Sequence, residues 1–365
     1  MNLLIICGES SSDAYGAKLA ESLRDIAPSD GMALYSMGSH ALAKVTTQLV
    51  SVDTTQHSVS LGQWQKKRRM AGRLRQALVT SSVAFDGAVI VDFPGHNFHI
   101  AKVLQSFKIS IATFITPNFW IWNNRRLAQK LANYSDAIIT IFKKEYDTYS
   151  AIAPEKTHYW GHPLSLDIST TLPVSGPTIG LFPGSRVGEI ETNLPTMLRV
   201  VDLWGEAQNN AIVIICENPE LHSVIRDIQA QYPGVSAPIT TDMNAPLRYA
   251  ISSPGTITLR LALMGVPLTV VGYLKKWTYR IAKYALRLHI PFIGLPNIIL
   301  NTSAFPEYIQ PAPRDIPEIS QQIQQQLMAD SAGKYAAPMA ELRRRVQAPP
   351  DFYKKIATVI MRAIE

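Results

Sequence analysis

Residues 178–191 read TIGLFPGSRVGEIE. An apolar run, Thr178–Pro183, ends in Gly-Ser-Arg and passes at once into a helical pattern whose first turn carries Glu189 and Glu191. Strand, tight turn and helix in immediate succession make the first half of a βα unit. Glycine permits the sharp turn, and the first helical N–H groups are left without intrahelical partners. Those groups beside Gly184, with the Ser185 hydroxyl and the Arg186 guanidinium, form a seat for a pyrophosphate. A capped helix carrying a solvated arginine is the alternative, and it needs no ligand.

The same alternation recurs along the chain. Short runs at 3–7, 87–92, 109–116, 137–142, 211–216 and 267–273 have the β-branched, unbroken apolar character of strands covered on both faces. Helical patterns such as Ala14–Ile26, Arg125–Tyr134 and Glu189–Trp204 lie between them. A chain of 365 residues exceeds one small core. The aperiodic segment GHPLSLDISTTLPVSGP, 161–177, reads as a linker. The expected fold is α/β, with two Rossmann-like domains facing across a cleft. Residues 1–165, joined by a C-terminal helix at 340–365, would form the first, and 166–339 the second. Ligands in such sheets bind outside the carboxyl ends of the strands, so the loops there hold the candidates.

Bulk properties narrow the partner. A net charge of +7, concentrated in Lys66–Arg75 and Lys275–Arg287, points to something anionic. Neither block interleaves aromatics as single-strand nucleic-acid platforms do, so no nucleic acid is expected. Residues 274–294 place Trp277, Ile281, Tyr284 and Leu288 on one helical face with basic neighbours, as an interfacial helix on anionic lipid would. A core-packed helix with a solvated basic face fits equally. No apolar stretch spans a bilayer and the start lacks a signal peptide's charged region, so a cytoplasmic chain is expected. Cys7 and Cys216 each close an apolar run and read as buried thiols.

The other strand-end loops differ in weight. CGESSSDAYG, 7–16, has neither GxGxxG nor a Walker lysine, which disfavours nicotinamide and P-loop chemistry. Asp92, at a buried strand end before Phe-Pro, is a candidate general base, with a helix cap as the bland alternative. Trp120 and Trp122 beside Arg125 and Arg126 would stack a ring, line an acyl pocket, or pack a domain interface. Pro254-Gly255-Thr256 opens a second anion-binding helix start, which Gly265-Val266-Pro267 closes. Asn297, Glu307 and Gln310 are polar residues in an apolar frame. His96 and His99 lack a third ligand nearby, and no metal site or cofactor is expected.

In order and spacing these stretches resemble the lipid-A-disaccharide synthase family, inverting glycosyltransferases of the GT-B fold. The resemblance rests on Gly8, Glu9, Ser11 and Asp13; on Asp92, Pro94 and Asn97; on the WxW loop; and on GHPL at 161–164. It continues through LFPGSRVGEI, GTITL at 255–259, GVPLTVVGY at 265–273 and the segment from Gly294 to Gln310. It implies transfer of a diacylglucosamine from UDP to the 6-hydroxyl of an acylated glucosamine phosphate acceptor, at the inner face of the inner membrane. Asp92 and Arg186 would be catalytic. Gly184, Ser185, Gly255, Thr256, Arg260, Asn297, Glu307 and Gln310 would hold the UDP-sugar donor. Gly8, Glu9, Ser11, Ser12, Asp13, Asn97, Trp120, Trp122, Arg126 and His162 would line the acceptor side. No DxD occurs, consistent with a mechanism free of metal.

Several positions depart from the family pattern. Ser12 replaces a glycine, Gly95 and His96 replace an acid and an aromatic, and Asp167 comes one place late, after Leu166. Asn123 stands where the WxW loop carries its first arginine, and Pro254 precedes the helix-start glycine. Arg260 stands where the family has a ribose-binding glutamate, and an arginine can only donate. Active transfer is the leading reading. A homologue with altered donor or acceptor, or one that binds nucleotide or phospholipid with little transfer, is the alternative.

Overall fold

The computed structural model describes residues 1–8, 10–27, 31–52, 63–92, 97–117, 124–168, 178–204, 212–273, 292–328 and 331–364. The chain divides into two compact units, Met1–Leu166 with Val346–Glu365, and Asp167–Arg345.

The first unit alternates strand and helix: β1 (Asn2–Cys7), α1 (Ser10–Ile26), β2 (Ala33–Gly38), α2 (His40–Ala43), β3 (Thr47–Ser51), α3 (Gln63–Thr80) and β4 (Gly87–Val91). It continues with α4 (Asn97–Ser106), β5 (Ser110–Phe114), α5 (Arg125–Tyr134), β6 (Ala137–Thr140), α6 (Lys143–Ser150) and β7 (Thr157–Tyr159). The sheet order is β3-β2-β1-β4-β5-β6-β7, and every pairing is parallel. Strand residues alternate between two cores. Leu3, Ile5, Val89, Val91 and Phe114 point to one side; Leu4, Ile6, Ala88, Ile90 and Ile111 point to the other, towards Leu74 of α3 and Ile100 of α4. Burial on both faces is why these strands read as continuous apolar runs.

The second unit repeats the plan with β8 (Thr178–Phe182), α7 (Val187–Asp202), β9 (Ile212–Ile215), α8 (His222–Gln229), β10 (Ile239–Thr240), β11 (Leu247–Ser252) and α9 (Thr256–Met264). Then come β12 (Leu268–Gly272), α10 (Leu295–Leu300), β13 (Glu307–Ile309), α11 (Ile316–Met328) and α12 (Ser331–Val346). Its parallel sheet is ordered β10-β9-β8-β11-β12-β13. The last helix, α13 (Phe352–Ile364), returns to the first unit and buries Phe352, Ile356 and Ile360 completely. Gly87 makes room for it, since a Cβ there would stand 2.4 Å from Ile364 Cδ1.

In both sheets two strands run outward one way from the first, and the rest run the other way. That leaves a switch point between β1 and β4, and another between β8 and β11, where such sheets bind their ligands. The expected strand 109–116 is cut short at Phe114, because Ile115 turns to φ 64. Gly265 ends α9 with φ 84, and Val266 N–H donates back to the Leu261 carbonyl. Both cysteines are buried and free. No helix among the described residues is long and apolar enough to cross a membrane.

Candidate active site

At the first switch point, β4 ends at Val91 and Asp92 follows with φ 35. The Asp92 N–H still donates to the Phe114 carbonyl at 3.0 Å, so the chain leaves the ladder at this residue. A non-glycine residue in the left-handed region is strained, and such strain gathers at sites that must aim a side chain. Asp92 is half-buried, and its carboxylate lies near Cys7 at the end of the neighbouring β1. Burial pushes the Cys7 thiol well above its usual range, and the charges of Asp13 and Asp92 raise it further. The thiol therefore stays protonated and is no nucleophile.

Asp13 has a structural task beside that site. Its buried carboxylate accepts from Ser39 N–H at 2.9 Å, the Ser39 hydroxyl at 2.8 Å and Leu42 N–H at 3.0 Å. It thereby caps α2 from another element, and the absence of a Cβ on Gly38 leaves it space. Ser12 is fully buried, with its carbonyl 3.4 Å from the Cys7 thiol, and Gly8 is buried at the end of β1. Arg126 is exposed in the first turn of α5, which Asn124 caps through Leu127 N–H. Glu9, Gly95, His96, Trp120 and Trp122 lie outside the described residues, as do the side chains of Ser11 and Asn97.

His162 is used locally. Its Nδ1 accepts from Leu164 N–H at 3.1 Å, and its own N–H donates to Val346 where the chain returns from the second unit. Burial lowers its pKa to about 3, so the ring is neutral and not poised for proton transfer. Gly161 beside it is at φ 92, and a Cβ there would meet the Gln347 carbonyl at 2.3 Å.

At the second switch point the loops after β8 and β11 are neighbours, with Ser253 N–H donating to the Phe182 carbonyl at 2.8 Å. Gly184 has φ 128, and Arg186 is the residue preceding α7. The seat read from the sequence is already engaged. Glu189 accepts from Ser185 N–H at 3.1 Å and from Arg186 at 2.7 Å, so its carboxylate takes the position that an incoming anion would contest. The i to i+3 spacing of Arg186 and Glu189 signals this pair. Gly255, at φ 143, opens α9 with no side-chain cap, and a Cβ there would meet nothing within 4 Å. Arg260, half-buried one turn later, donates to Asn244 at 3.0 Å, and its Nε is buried without a protein partner among the described residues.

The segment before β13 is built around one amide. Asn297 is fully buried; its Nδ2 donates to the Phe305 carbonyl and to Glu307, each at 2.7 Å. Its Oδ1 accepts from Ala304 and Phe305 N–H groups at 2.9 Å. Glu307 also accepts from Ile293 and Gly294 N–H groups. Burial raises the Glu307 pKa while those three donors pull it back. Gln310 follows β13 at φ 56 and continues the pairing to Gly272. The Tyr273 hydroxyl, which sequence reading missed, joins Thr196 at 2.7 Å and the Pro311 carbonyl at 2.9 Å. Asp92 and Gly8 stand at the carboxyl ends of β4 and β1, and Gly184 and Gly255 follow β8 and β11, whereas Glu307 opens the edge strand β13. One unit holds Asp92 at a strained strand end, the other two helix starts on adjacent strands.

A family model described as Lipid-A-disaccharide synthetase matches residues 3–348. Lipid-A-disaccharide synthases of Burkholderia lata and Myxococcus xanthus are each 28% identical. The matches cover 85% and 84% of this chain and 83% of each relative. That of Syntrophotalea carbinolica is 25% identical over 84% of this chain and 82% of its own. Among solved structures, Acinetobacter baumannii MurG superposes with TM-score 0.54 over 99% of both chains at 12% identity. Arabidopsis thaliana UGT89C1 complexed with quercetin does so with TM-score 0.62, over 100% of this chain and 99% of its own, at 11% identity. Both likenesses bear on the fold, which is of the GT-B type.

Proposed function

Because the chain belongs to the lipid-A-disaccharide synthetase family, we propose that it transfers a 2,3-diacylglucosamine from UDP to the 6-hydroxyl of a 2,3-diacylglucosamine 1-phosphate. The observation that carries the donor assignment is the pair of helix starts on adjacent strands, Gly184–Arg186 before α7 and Gly255–Thr256 before α9. Two neighbouring helix starts fit a diphosphate once Glu189 gives up the Ser185 N–H. The relatives favour transfer over a homologue that only binds nucleotide or lipid.

Asp92 removes the proton from the acceptor 6-hydroxyl as its oxygen attacks the donor C1. The C1–O bond to the β-phosphate breaks on the opposite face, and UDP leaves with the electron pair. Configuration inverts and a β-1,6 linkage forms. Arg186 and the two helix starts stabilise the charge on UDP. For Arg186 to turn to phosphate, Glu189 must yield its ion pair. Asn297 and Glu307 act indirectly on this reading, by holding Ile293 and Gly294 in place. Incubation with UDP-diacylglucosamine and the acylated monosaccharide phosphate should give disaccharide phosphate and UDP in equal amounts. UDP without disaccharide, or neither product, overturns the assignment.

Arg260 adjusts the donor seat. Its Nε is buried without a partner among the described residues, and on this reading the guanidinium, which only donates, draws the diphosphate. Arg260→Glu is expected to weaken UDP binding by about tenfold in calorimetry, through a lost charge-assisted contact and added repulsion. Tightening would instead place this position against the ribose hydroxyls and remove the phosphate role.

The acyl chains require the first unit to work at an anionic membrane surface, as a peripheral protein on the cytoplasmic side. Arg68, Arg69, Arg73 and Arg75 on the exposed side of α3 suit that surface, while Ala71, Leu74 and Leu78 bury its other side. The second basic block, 275–287, lies outside the described residues. Co-sedimentation with anionic liposomes should fall as salt rises; salt-independent or absent binding would sink the membrane reading.

A further inference from the structure

Helix α12, the last helix of the second unit, carries Arg343, Arg344 and Arg345 in its final turn. Arg343 donates through Nε at 3.0 Å and Nη2 at 2.8 Å to the carbonyl of Leu263, in the last turn of α9. The Ala262 and Leu261 carbonyls at that end already receive Gly265 and Val266 N–H groups. The guanidinium therefore serves a carbonyl which the helix ending does not reach. Arg345 donates through Nη1 to the Ile299 and Leu300 carbonyls at 2.8 and 3.1 Å, the end of α10. Glu341 aims it by accepting from its Nε at 2.7 Å. Higher on α12, the buried Tyr335 ring stacks on Phe305, with centroids 5.2 Å apart and planes at 6°. Asn297 holds the backbone of that same Phe305.

One helix thus grips three pieces of the second unit, and each continues into the candidate donor site. The far end of α9 is the Gly255–Thr256 start. Helix α10 carries Asn297, and the strand after Phe305 carries Glu307. We propose that Arg343 and Arg345 are positioning residues of the donor site: by fixing the carboxyl ends of α9 and α10 they hold the amide groups of the site in register. A helix is stiff along its axis, so a carboxyl end released from its anchor lets the amino end shift. Displacement of about an ångström at donor-binding groups is enough to cost affinity. The guanidinium at the end of α9 also complements the helix dipole, keeping the positive end directed at the site. This inference rests on the reading of the α9 start as part of the UDP seat.

The test compares Arg343→Ala, Arg345→Ala and Arg343→Lys with Arg344→Ala in the full chain. Arg344 is 73% exposed and contacts Glu341, so its variant controls for loss of charge. The two alanine variants of Arg343 and Arg345 should raise the donor KM and the UDP Kd about tenfold while kcat changes little. Lysine at 343 should recover most of that loss, since it keeps the charge and one donor. Hydrogen exchange at amides 256–258 and 293–294 should quicken in both alanine variants at unchanged overall fold. A variant that folds with wild-type KM, Kd and exchange overturns the proposal, as does an equal effect from Arg344→Ala. If the wild-type chain fails to bind UDP, the donor assignment falls on its own, and exchange at those amides still decides whether the arginines position them.

Discussion

Asp92→Asn is expected to lower turnover by about 10²–10⁴-fold, the worth of a positioned general base, and to leave UDP affinity nearly unchanged. The substitution suits the test because the backbone at this position is at φ 35. Asparagine tolerates the left-handed region about as well as aspartate, so the strand end keeps its path and only the basic oxygen is lost. The proposed UDP seat is built from residues of the other unit and does not include Asp92. Initial-rate kinetics with both acylated substrates, together with calorimetry on UDP alone, separate the two effects. Turnover within a few-fold of wild type would remove Asp92 as the base. Loss of UDP binding in parallel would mean that the change had disturbed folding instead.

The second large effect belongs to Asn297→Ala. The amide is fully buried and answers the Ala304 and Phe305 N–H groups, the Phe305 carbonyl and one oxygen of Glu307. Alanine leaves all of these without that partner, and Glu307 loses a donor that counteracts its burial. Stranded buried groups of this kind cost about 3 kcal/mol or more together. Urea unfolding should show the loss, and UDP affinity should fall as Ile293 and Gly294 are released. Asn297→Asp should be no better, since it places a second carboxylate against Glu307. A change below about 0.5 kcal/mol in either variant would contradict the network.

Much of the fold was legible because buried parallel strands have nowhere to put a polar residue. The strands β1, β4, β6, β8, β9 and β12 therefore read as apolar runs, with Thr140 and Thr269 the buried polar exceptions. The strands not anticipated are the short or mixed ones. Within β3 only Val50 is buried, and β10 and β13 are merely half-buried. In β11 the run is broken by Arg248, which turns out to reach the Leu327 carbonyl. Edge position and side-chain reach decide such cases, and neither is visible in local periodicity.

The candidate site was legible to the same depth. Turn glycines, strand ends and helix starts follow from spacing alone, and so Gly184, Arg186, Asp92 and Gly255 could be singled out. Sequence could not say which groups are already spent. Asp13 finds its partners at Ser39 and Leu42, and Arg186 is held by Glu189. Asn297 and Glu307 hold one another, and Arg343 meets Leu263, 80 residues away in the chain. By itself the sequence determined the βα alternation and the positions of the turn glycines, strand ends and helix starts, because these depend on neighbouring residues and backbone geometry. Only the tertiary structure decided which of the candidate polar groups are already held within the framework. A buried donor must find an acceptor wherever the fold brings one, whatever the distance along the chain.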